Sequence, residues 1–152
     1  MTLKGYEKIQ EEIRHLKNFE RPQIIEAIAA ARSLGDLSEN AEYHAAKDRQ
    51  GIVEARISDL EEKASRAEII DVTKINSDNI KFGATVEIID EDTESVLTFQ
   101  IVGSDEADIK NGFFPITAPL AKALIGKTVN DQIEVNTPNG LKVYYVLKVR
   151  YI

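Results

Sequence analysis

Two carboxylates three positions apart, those of Asp36 and Glu39, are the groups in this sequence best suited to chemistry. In the first turn of a helix, this spacing places both side chains on one side. Magnesium prefers oxygen ligands and keeps several waters, so one or two carboxylates suffice when other oxygen donors complete its shell. Two metal ions can promote phosphodiester hydrolysis by steadying the leaving oxygen and activating water. Two carboxylates alone would hold magnesium weakly, so a catalytic role requires further ligands from a partner.

The same residues also have a structural interpretation. Asp36 and Ser38 are both suitable N-cap types for a following helix. Asp36 with Glu39 fits the spacing of a capping box, although Ser or Thr is the usual cap. A cap near a helix N-terminus is also well placed for an anion, so capping and catalysis are compatible. The residues alone therefore leave both roles open.

Two cationic residues, Arg32 and Lys47, stand on either side of this acidic stretch. Charges on helical arms are most often solvated surface groups, and the sequence pattern alone gives these two no other role. Glu42 is interpreted as an ordinary exposed helical residue. His44 is one of two histidines, and it is interpreted as a packing or surface residue rather than a metal ligand.

Two apolar stripes with helical spacing predict the elements that position these groups. The first comprises Tyr6, Ile9, Ile13, Leu16, Phe19, Ile25, Ile28 and Ala31. The second has steps of 3 and 4, the seam of a coiled coil, and comprises Tyr43, Ala46, Gln50, Val53, Ile57, Leu60, Ala64 and Ala67. The short loop Ser33–Asn40, with Gly35 suited to a positive φ, predicts an antiparallel hairpin. Tyr43 should pack between the arms, and Arg21-Pro22 predicts a bend in the first arm.

Beyond residue 75 the sequence favours strands and turns. Strands are predicted at Ala84–Asp90, Ser95–Gly103, Gln132–Asn136 and Leu141–Ile152, with a short helix from Pro119 to Ile125. The turn Thr137-Pro138-Asn139-Gly140 indicates a hairpin. Alternation on the last strand predicts one shared face for Val143, Tyr145, Leu147, Val149 and Tyr151. We therefore predict an α+β protein, with a coiled-coil helical hairpin at residues 1–75 and a small β-rich domain at residues 76–152.

The composition excludes several classes of protein. The chain lacks cysteine, which excludes disulfide scaffolds and thiolate metal sites. No apolar run approaches the roughly 18 residues of a membrane span, and the first residues do not form a signal peptide, so a cytoplasmic protein is expected. The net charge is −7, and no basic face is evident. Any role in nucleic-acid chemistry should therefore depend on a protein partner.

The stretch from Ala31 to Lys47, ARSLGDLSENAEYHAAK, strongly resembles the GreA/GreB family of bacterial transcript-cleavage factors. The resemblance continues over essentially the whole chain, in FGATV at 82–86, IVG at 101–103, DEAD at 105–108, APLA at 118–121, LIGK at 124–127 and TPNG at 137–140. His44-Ala45-Ala46 is more similar to the GreA branch than to GreB.

This resemblance implies a function that spacing alone does not give. It implies that residues 76–152 form an FK506-binding-protein-like domain that docks on RNA polymerase. The hairpin would enter the secondary channel of the polymerase and stimulate its intrinsic cleavage of backtracked RNA, with no enzyme activity of its own. The family's essential acids fall on Asp36 and Glu39, which would share Mg²⁺ with the polymerase active site. Its basic residues, linked to the nascent RNA 3′ end, fall on Arg32 and Lys47.

The sequence departs from the family pattern in two places and leaves two rival functions open. Ala118 stands where the family commonly has serine, and Lys110–Thr117 is unusual. One rival is a non-catalytic polymerase-channel regulator on the same scaffold. Another is a prolyl isomerase or chaperone, since fold does not determine function. A hairpin whose seam is closed by its own arms favours a monomer.

Overall fold

Helices form the first part of the chain in the computed structural model, which describes residues 1–152. Helix α1 spans Leu3–His15, a π turn spans Leu16–Glu20, α2 spans Arg21–Arg32 and α3 spans Ala41–Arg66. One unit of the fold, the hairpin unit, comprises Tyr6–Ala67. The other, the sheet unit, comprises Met1–Gly5 together with Glu68–Ile152. The predicted α+β class, with a helical hairpin before a β-rich domain, is confirmed.

An apolar seam holds the two arms of the hairpin unit together. Its buried residues are Ile24, Ile28, Val53 and Ile57, and the partly buried residues packed against them are Leu16, Tyr43 and Ala46. The antiparallel arrangement and the place of Tyr43 between the arms are therefore as predicted. Ion pairs link the arms outside the seam, among them Arg21 to Glu54 at 2.7 Å and Arg56 to Glu12 at 3.0 Å. Exposed pairs of this kind contribute at most about 1 kcal/mol each, so the apolar seam dominates.

Two residues predicted for the first apolar stripe do not lie on the seam, because a π turn changes the helical register. Arg21 N–H donates to the carbonyl of Leu16, five residues back, immediately before Pro22. Pro22 has no N–H to donate and its ring crowds the preceding turn, which explains why the wide turn lies there. The extra residue in this turn brings Ile24 onto the seam, with 2% exposure, and leaves Ile25 54% exposed. Phe19 is also exposed and stacks on His15 instead, so the predicted seam places of Phe19 and Ile25 were wrong.

Adjacent isoleucines therefore provide a matched pair of substitutions in α2. Ile24→Ala should lower the free energy of unfolding by about 2–4 kcal/mol, because it leaves a cavity in the seam. Ile25→Ala has the same chemistry and helix propensity, and it should change that free energy by no more than about 0.5 kcal/mol. Urea unfolding followed by helical circular dichroism measures both values. Equal losses in the two variants would contradict the seam described here.

The sheet unit is built on five strands in the order β3-β2-β1-β5-β4. The strands are β1 (Thr85–Asp90), β2 (Val96–Val102), β3 (Phe113–Pro115), β4 (Gln132–Thr137) and β5 (Gly140–Arg150). All neighbours are antiparallel except β2 and β3, which pair in parallel. The four predicted strands are confirmed, whereas β3 lies in the segment 110–117 that the sequence left unassigned.

Helix α4 (Pro119–Leu124) covers the core side of the sheet. It ends one residue before the predicted end at Ile125, and Gly126 follows with φ of +86°. The buried core comprises Ile80, Ala84, Val86, Ile88, Phe99, Ile101, Ala121, Leu124, Ile133, Val135 and Val146. Ala118 precedes α4 without a side-chain capping bond and is packed partly against this core. No helix in the structure is both long enough and apolar enough to cross a membrane.

A bulge in β5 corrects the predicted face of the last strand. Glu87 pairs with Lys148, but the next residue, Ile88, pairs with Val146, so one residue of β5 is extra. An extra residue reverses the side-chain alternation beyond it. The core side of β5 is therefore formed by Tyr144, Val146, Val149 and Tyr151. The prediction held for Val149 and Tyr151 and was wrong for Val143, Tyr145 and Leu147.

Within the sheet unit, the Glu106 carboxylate binds the first residues of the chain to the segment after β2. Glu106 Oε1 accepts the N–H of Thr2 at 2.8 Å and also the Thr2 hydroxyl, while Oε2 accepts the N–H of Gly103 at 2.8 Å. The Thr2 hydroxyl oxygen in turn accepts the N–H of Gly5 at 3.0 Å. Ile70 extends this attachment, because it exchanges backbone hydrogen bonds with Met1 and Leu3.

Gly5 leaves room for this carboxylate, because a Cβ at position 5 would lie 1.9 Å from Glu106 Oε1. Gly5→Ala should therefore displace Glu106 and lower the free energy of unfolding by about 1–3 kcal/mol, as overpacking does. Gly51→Ala is the control, because its Cβ meets nothing within 4 Å and alanine favours the helix interior by roughly 0.5–1 kcal/mol. Thermal melting compares the two variants, and hydrogen exchange of the Gly103 amide reports directly whether its hydrogen bond to Glu106 is kept. Equal shifts in melting temperature for Gly5→Ala and Gly51→Ala would contradict the clash between a Cβ at position 5 and Glu106.

Candidate functional site at the hairpin tip

The tip of the hairpin is the loop Ser33–Asn40, which connects α2 to α3. The loop begins where the Ser33 hydroxyl and the N–H of Leu34 donate to the carbonyls of Ala30 and Ala31, at 2.6 and 3.1 Å. The chain then turns through Gly35, whose φ of +126° confirms the positive value expected at this glycine. All side chains from position 32 to position 39 are exposed. The tip therefore offers its side chains to solvent or to a partner rather than to its own core.

Asp36 is held by its own loop through one of its two carboxylate oxygens. Its Oδ1 accepts the backbone N–H of Ser38 at 3.0 Å and the Ser38 hydroxyl at 2.9 Å. These two hydrogen bonds lower the pKa of the Asp36 carboxyl below its usual value, because they favour the ionised form. The other oxygen, Oδ2, has no hydrogen bond or ion pair in the structure. Asp36 is thus an oriented, ionised carboxylate with one oxygen available to a ligand.

Glu39 is exposed and forms no hydrogen bond or ion pair. It precedes the helix, since α3 begins at Ala41 and its N-cap is Asn40. The two acids therefore do not lie in a helical turn, so helical spacing does not place them on one side. Both are nevertheless presented by the same eight-residue loop.

Asn40, rather than Asp36 or Ser38, caps α3. Its Oδ1 accepts the N–H of Tyr43 at 3.0 Å, and its Nδ2 donates to the carbonyl of Ala31 at 2.5 Å. The capping predictions for Asp36 and Ser38, and the capping box with Glu39, were wrong. The physical reason is that an amide both accepts and donates, whereas a carboxylate cannot donate to the end of the other arm. The sequence did contain a signal for Asn40, because asparagine is a favoured N-cap and stands directly before the second stripe.

The two predicted basic residues lie on opposite arms. Arg32 is the last residue of α2, and its guanidinium lies 5.9 Å from the ring centroid of Tyr43. Lys47 lies in α3, where its Nζ donates to Gln50 at 3.1 Å. Both side chains are exposed, and neither pairs with an acid. His44 lies in α3, and its Nε2 is 3.3 Å from the carbonyl oxygen of Ser38 in the tip.

The tip does not bring together enough ligands for a metal site of its own. No group of three or more His, Cys, Asp or Glu side chains in the structure could hold a metal ion. Asp36 Oδ2 and Glu39 have the oxygen chemistry that magnesium prefers, but they would supply only part of its shell. A cation at this tip would therefore need oxygen ligands from another molecule.

Comparisons with known proteins agree over the whole length of the chain. Residues 1–69 match the family model described as "Transcription elongation factor, N-terminal", and residues 75–151 match "Transcription elongation factor, GreA/GreB, C-term". A protein from Chelativorans sp. named transcription elongation factor GreA is 60% identical, with coverage of 99% of this chain and 96% of the relative. One of the same name from Caulobacter vibrioides is 55% identical, with coverage of 100% and 97%. The chain in the crystal structure of GreA factor homolog 1 from Thermus thermophilus has 25% sequence identity to this protein and a TM-score of 0.44. The match covers 99% of this chain and 97% of that one.

Proposed function

Because the chain belongs to the GreA/GreB family of transcription elongation factors, we propose that it binds RNA polymerase and stimulates cleavage of backtracked nascent RNA. In this proposal the hairpin tip enters the secondary channel and restarts arrested complexes. The observation that carries the proposal is the state of Asp36, an exposed ionised carboxylate that its own loop orients through one oxygen only.

The two tip acids would act inside the polymerase active centre. Magnesium bound there supplies activation of water and stabilisation of the leaving oxygen. Asp36 would offer its free Oδ2 and Glu39 its carboxylate, while the polymerase and the RNA would provide the remaining oxygen ligands. The protein would therefore assist the polymerase's own endonucleolytic activity and would not be an enzyme by itself.

The remaining parts of the chain would bring the tip to this place. The β-rich domain would dock on the polymerase, as the family resemblance implies, and Arg32 and Lys47 would contact the 3′ end of the RNA. The net charge of −7 disfavours independent binding to nucleic acid and supports a route through the protein partner. The apolar seam is already filled by the two arms, which supports a monomeric factor.

A cleavage assay tests this proposal directly. The protein is added to a backtracked polymerase complex that carries RNA labelled at one end, at fixed Mg²⁺ concentration. We expect faster release of the 3′ fragment and renewed elongation from the shortened RNA. Binding without acceleration would refute cleavage stimulation and favour the non-catalytic channel regulator. Activity in a prolyl cis/trans assay would instead favour the isomerase alternative.

A further inference from the structure

Asn40 is the only tip residue whose side chain forms hydrogen bonds with both arms of the hairpin. The amide oxygen accepts from Tyr43 in the first turn of α3, and the amide nitrogen donates to Ala31 in the last turn of α2. The backbone carbonyl of Asn40 also accepts the N–H of His44 at 3.1 Å. The side chain is half-buried, unlike the eight exposed residues before it. These contacts close the hairpin at the point where the loop ends.

A simple N-cap does not require the second of these bonds. Serine, aspartate and asparagine cap helices about equally well, since each offers an oxygen to the first-turn N–H groups. A carboxylate at this position has no donor for the Ala31 carbonyl, and a hydroxyl offers a single oxygen where the amide uses two separate atoms to reach the two helices. The choice of an amide thus concerns the connection between the arms and not only the start of α3.

The acids are attached to this bridge through the loop itself. Glu39 is the residue directly before Asn40, so its backbone position follows that of the bridge. Asp36 accepts a hydrogen bond from Ser38. The Ser38 carbonyl oxygen lies 3.3 Å from Nε2 of His44, which is in the first turn of α3. No other side-chain bond in the structure joins the loop to both helices. Loss of the bridge should therefore loosen the whole loop rather than one side chain.

We infer that Asn40 is a positioning residue that bridges the two arms and thereby holds Asp36 and Glu39 in place for cleavage, an inference that rests on the proposed function. Asn40 itself would touch neither the metal nor the RNA. Its contribution would be to reduce the conformational freedom of the two ligands before they meet the polymerase active centre. Misplacement of reacting groups by about 1 Å can cost roughly 100-fold in rate, so a loosened loop should cost at least about tenfold.

Two substitutions separate this bridge from the cap. Asn40→Asp and Asn40→Ser both keep an oxygen for Tyr43 N–H. The aspartate carboxylate has no donor for the Ala31 carbonyl, and serine offers one hydroxyl on a shorter side chain in place of the two amide atoms that reach the two arms. Serine adds no charge, so agreement between the two variants excludes charge as the cause. We expect both to melt close to the parent and to bind polymerase with parental affinity. Their maximal rate of stimulated RNA cleavage at saturating factor should fall at least about tenfold.

The same variants give a readout that does not involve polymerase. Amide ¹⁵N order parameters of residues 34–39 should fall in both variants of the free protein, while those of α3 beyond its first turn should not. Parental cleavage rates in both variants, beside an active parent, would overturn the inference alone. Unchanged order parameters in the loop would also overturn it. An inactive parent would instead overturn the proposed function, and with it the role of Asn40 in cleavage.

Discussion

Asp36→Asn and Glu39→Gln are expected to lose most cleavage stimulation while they keep parental affinity for RNA polymerase. Each substitution removes a negative charge and preserves size. A loss of at least about tenfold in the maximal rate is expected from each, since even outer-shell partners of metal ligands cost about 10–100-fold when removed. The chemistry behind the loss is weaker occupancy or orientation of Mg²⁺, whose preferred ligands are charged oxygens.

The structure removes the competing explanation that these variants damage a helix cap. Asn40 caps α3, and neither Asp36 nor Glu39 bonds to any N–H of that helix. In Asp36→Asn the amide oxygen can still accept both bonds from Ser38, so the loop should keep its form. Thermal melting of both free variants should therefore stay close to that of the parent. A large fall in melting temperature would show that the acids are structural after all.

The decisive measurement is the cleavage rate against Mg²⁺ concentration at saturating factor. If an acid contributes a ligand, higher Mg²⁺ should restore part of the lost rate, because it compensates for weaker occupancy. Glu42→Gln is the matched control, since Glu42 is an exposed acid in the first turn of α3 and lies outside the loop. Its rate should stay near the parent's at every Mg²⁺ concentration. Parental rates in Asp36→Asn and Glu39→Gln would eliminate the catalytic role.

Much of this scaffold could be predicted because its apolar pattern is regular. In α3 the seam from Tyr43 through Val53, Ile57 and Leu60 follows unbroken helical spacing, and each of these residues is buried or half-buried. The same pattern failed at Ile25, because the π turn before Pro22 adds a residue that hydrophobic spacing cannot reveal. A proline signals that a helix is disturbed, but it does not say whether the turn kinks, stops or widens.

The sheet shows the same limit of pattern reasoning. The bulge in β5 moved Tyr145 off the core side, and alternating residues carry no mark of the single extra one. The contact of Thr2 with Glu106 joins residues more than one hundred positions apart, so no local rule predicts it. At the tip, charge and spacing identified Asp36 and Glu39 as candidates. They did not reveal which oxygen of Asp36 is free. The hydrogen bonds from Ser38 depend on the conformation of an irregular loop, which has no repeating pattern in the sequence.

Replacement of Arg32 and Lys47 together by alanine is expected to reduce contact with the RNA 3′ end by about tenfold. The two cations stand on opposite arms, and both are exposed without an acidic partner. They could therefore bind phosphate oxygens through charge-assisted hydrogen bonds. Photocrosslinking from a reactive nucleotide at the RNA 3′ end, at equal occupancy of the polymerase, measures this contact. Stability should change by no more than about 1 kcal/mol, since exposed charges contribute little.

A second double variant controls for the change in net charge. Lys8→Ala with Arg66→Ala removes the same two charges from exposed positions far along the arms from the tip. If the contact is local to the tip, the crosslinking yield of this control variant should equal that of the parent. If only total charge matters, the yield should fall equally in both double variants. Arg32→Lys adds a further distinction, because lysine keeps the charge but lacks the planar group that lies over Tyr43. A loss in Arg32→Lys would assign part of the contact to the guanidinium group over Tyr43.

The salt dependence of crosslinking is a further test of the role of these two cations. The chain carries a net charge of −7 and presents two carboxylates at the tip, so the RNA backbone is repelled unless nearby cations offset this repulsion. Contacts between cations and phosphates release counterions, which makes binding weaker as salt rises. Crosslinking of the parent should therefore fall more steeply with salt than that of the variant without Arg32 and Lys47. Equal slopes would return both residues to the role of ordinary surface charges.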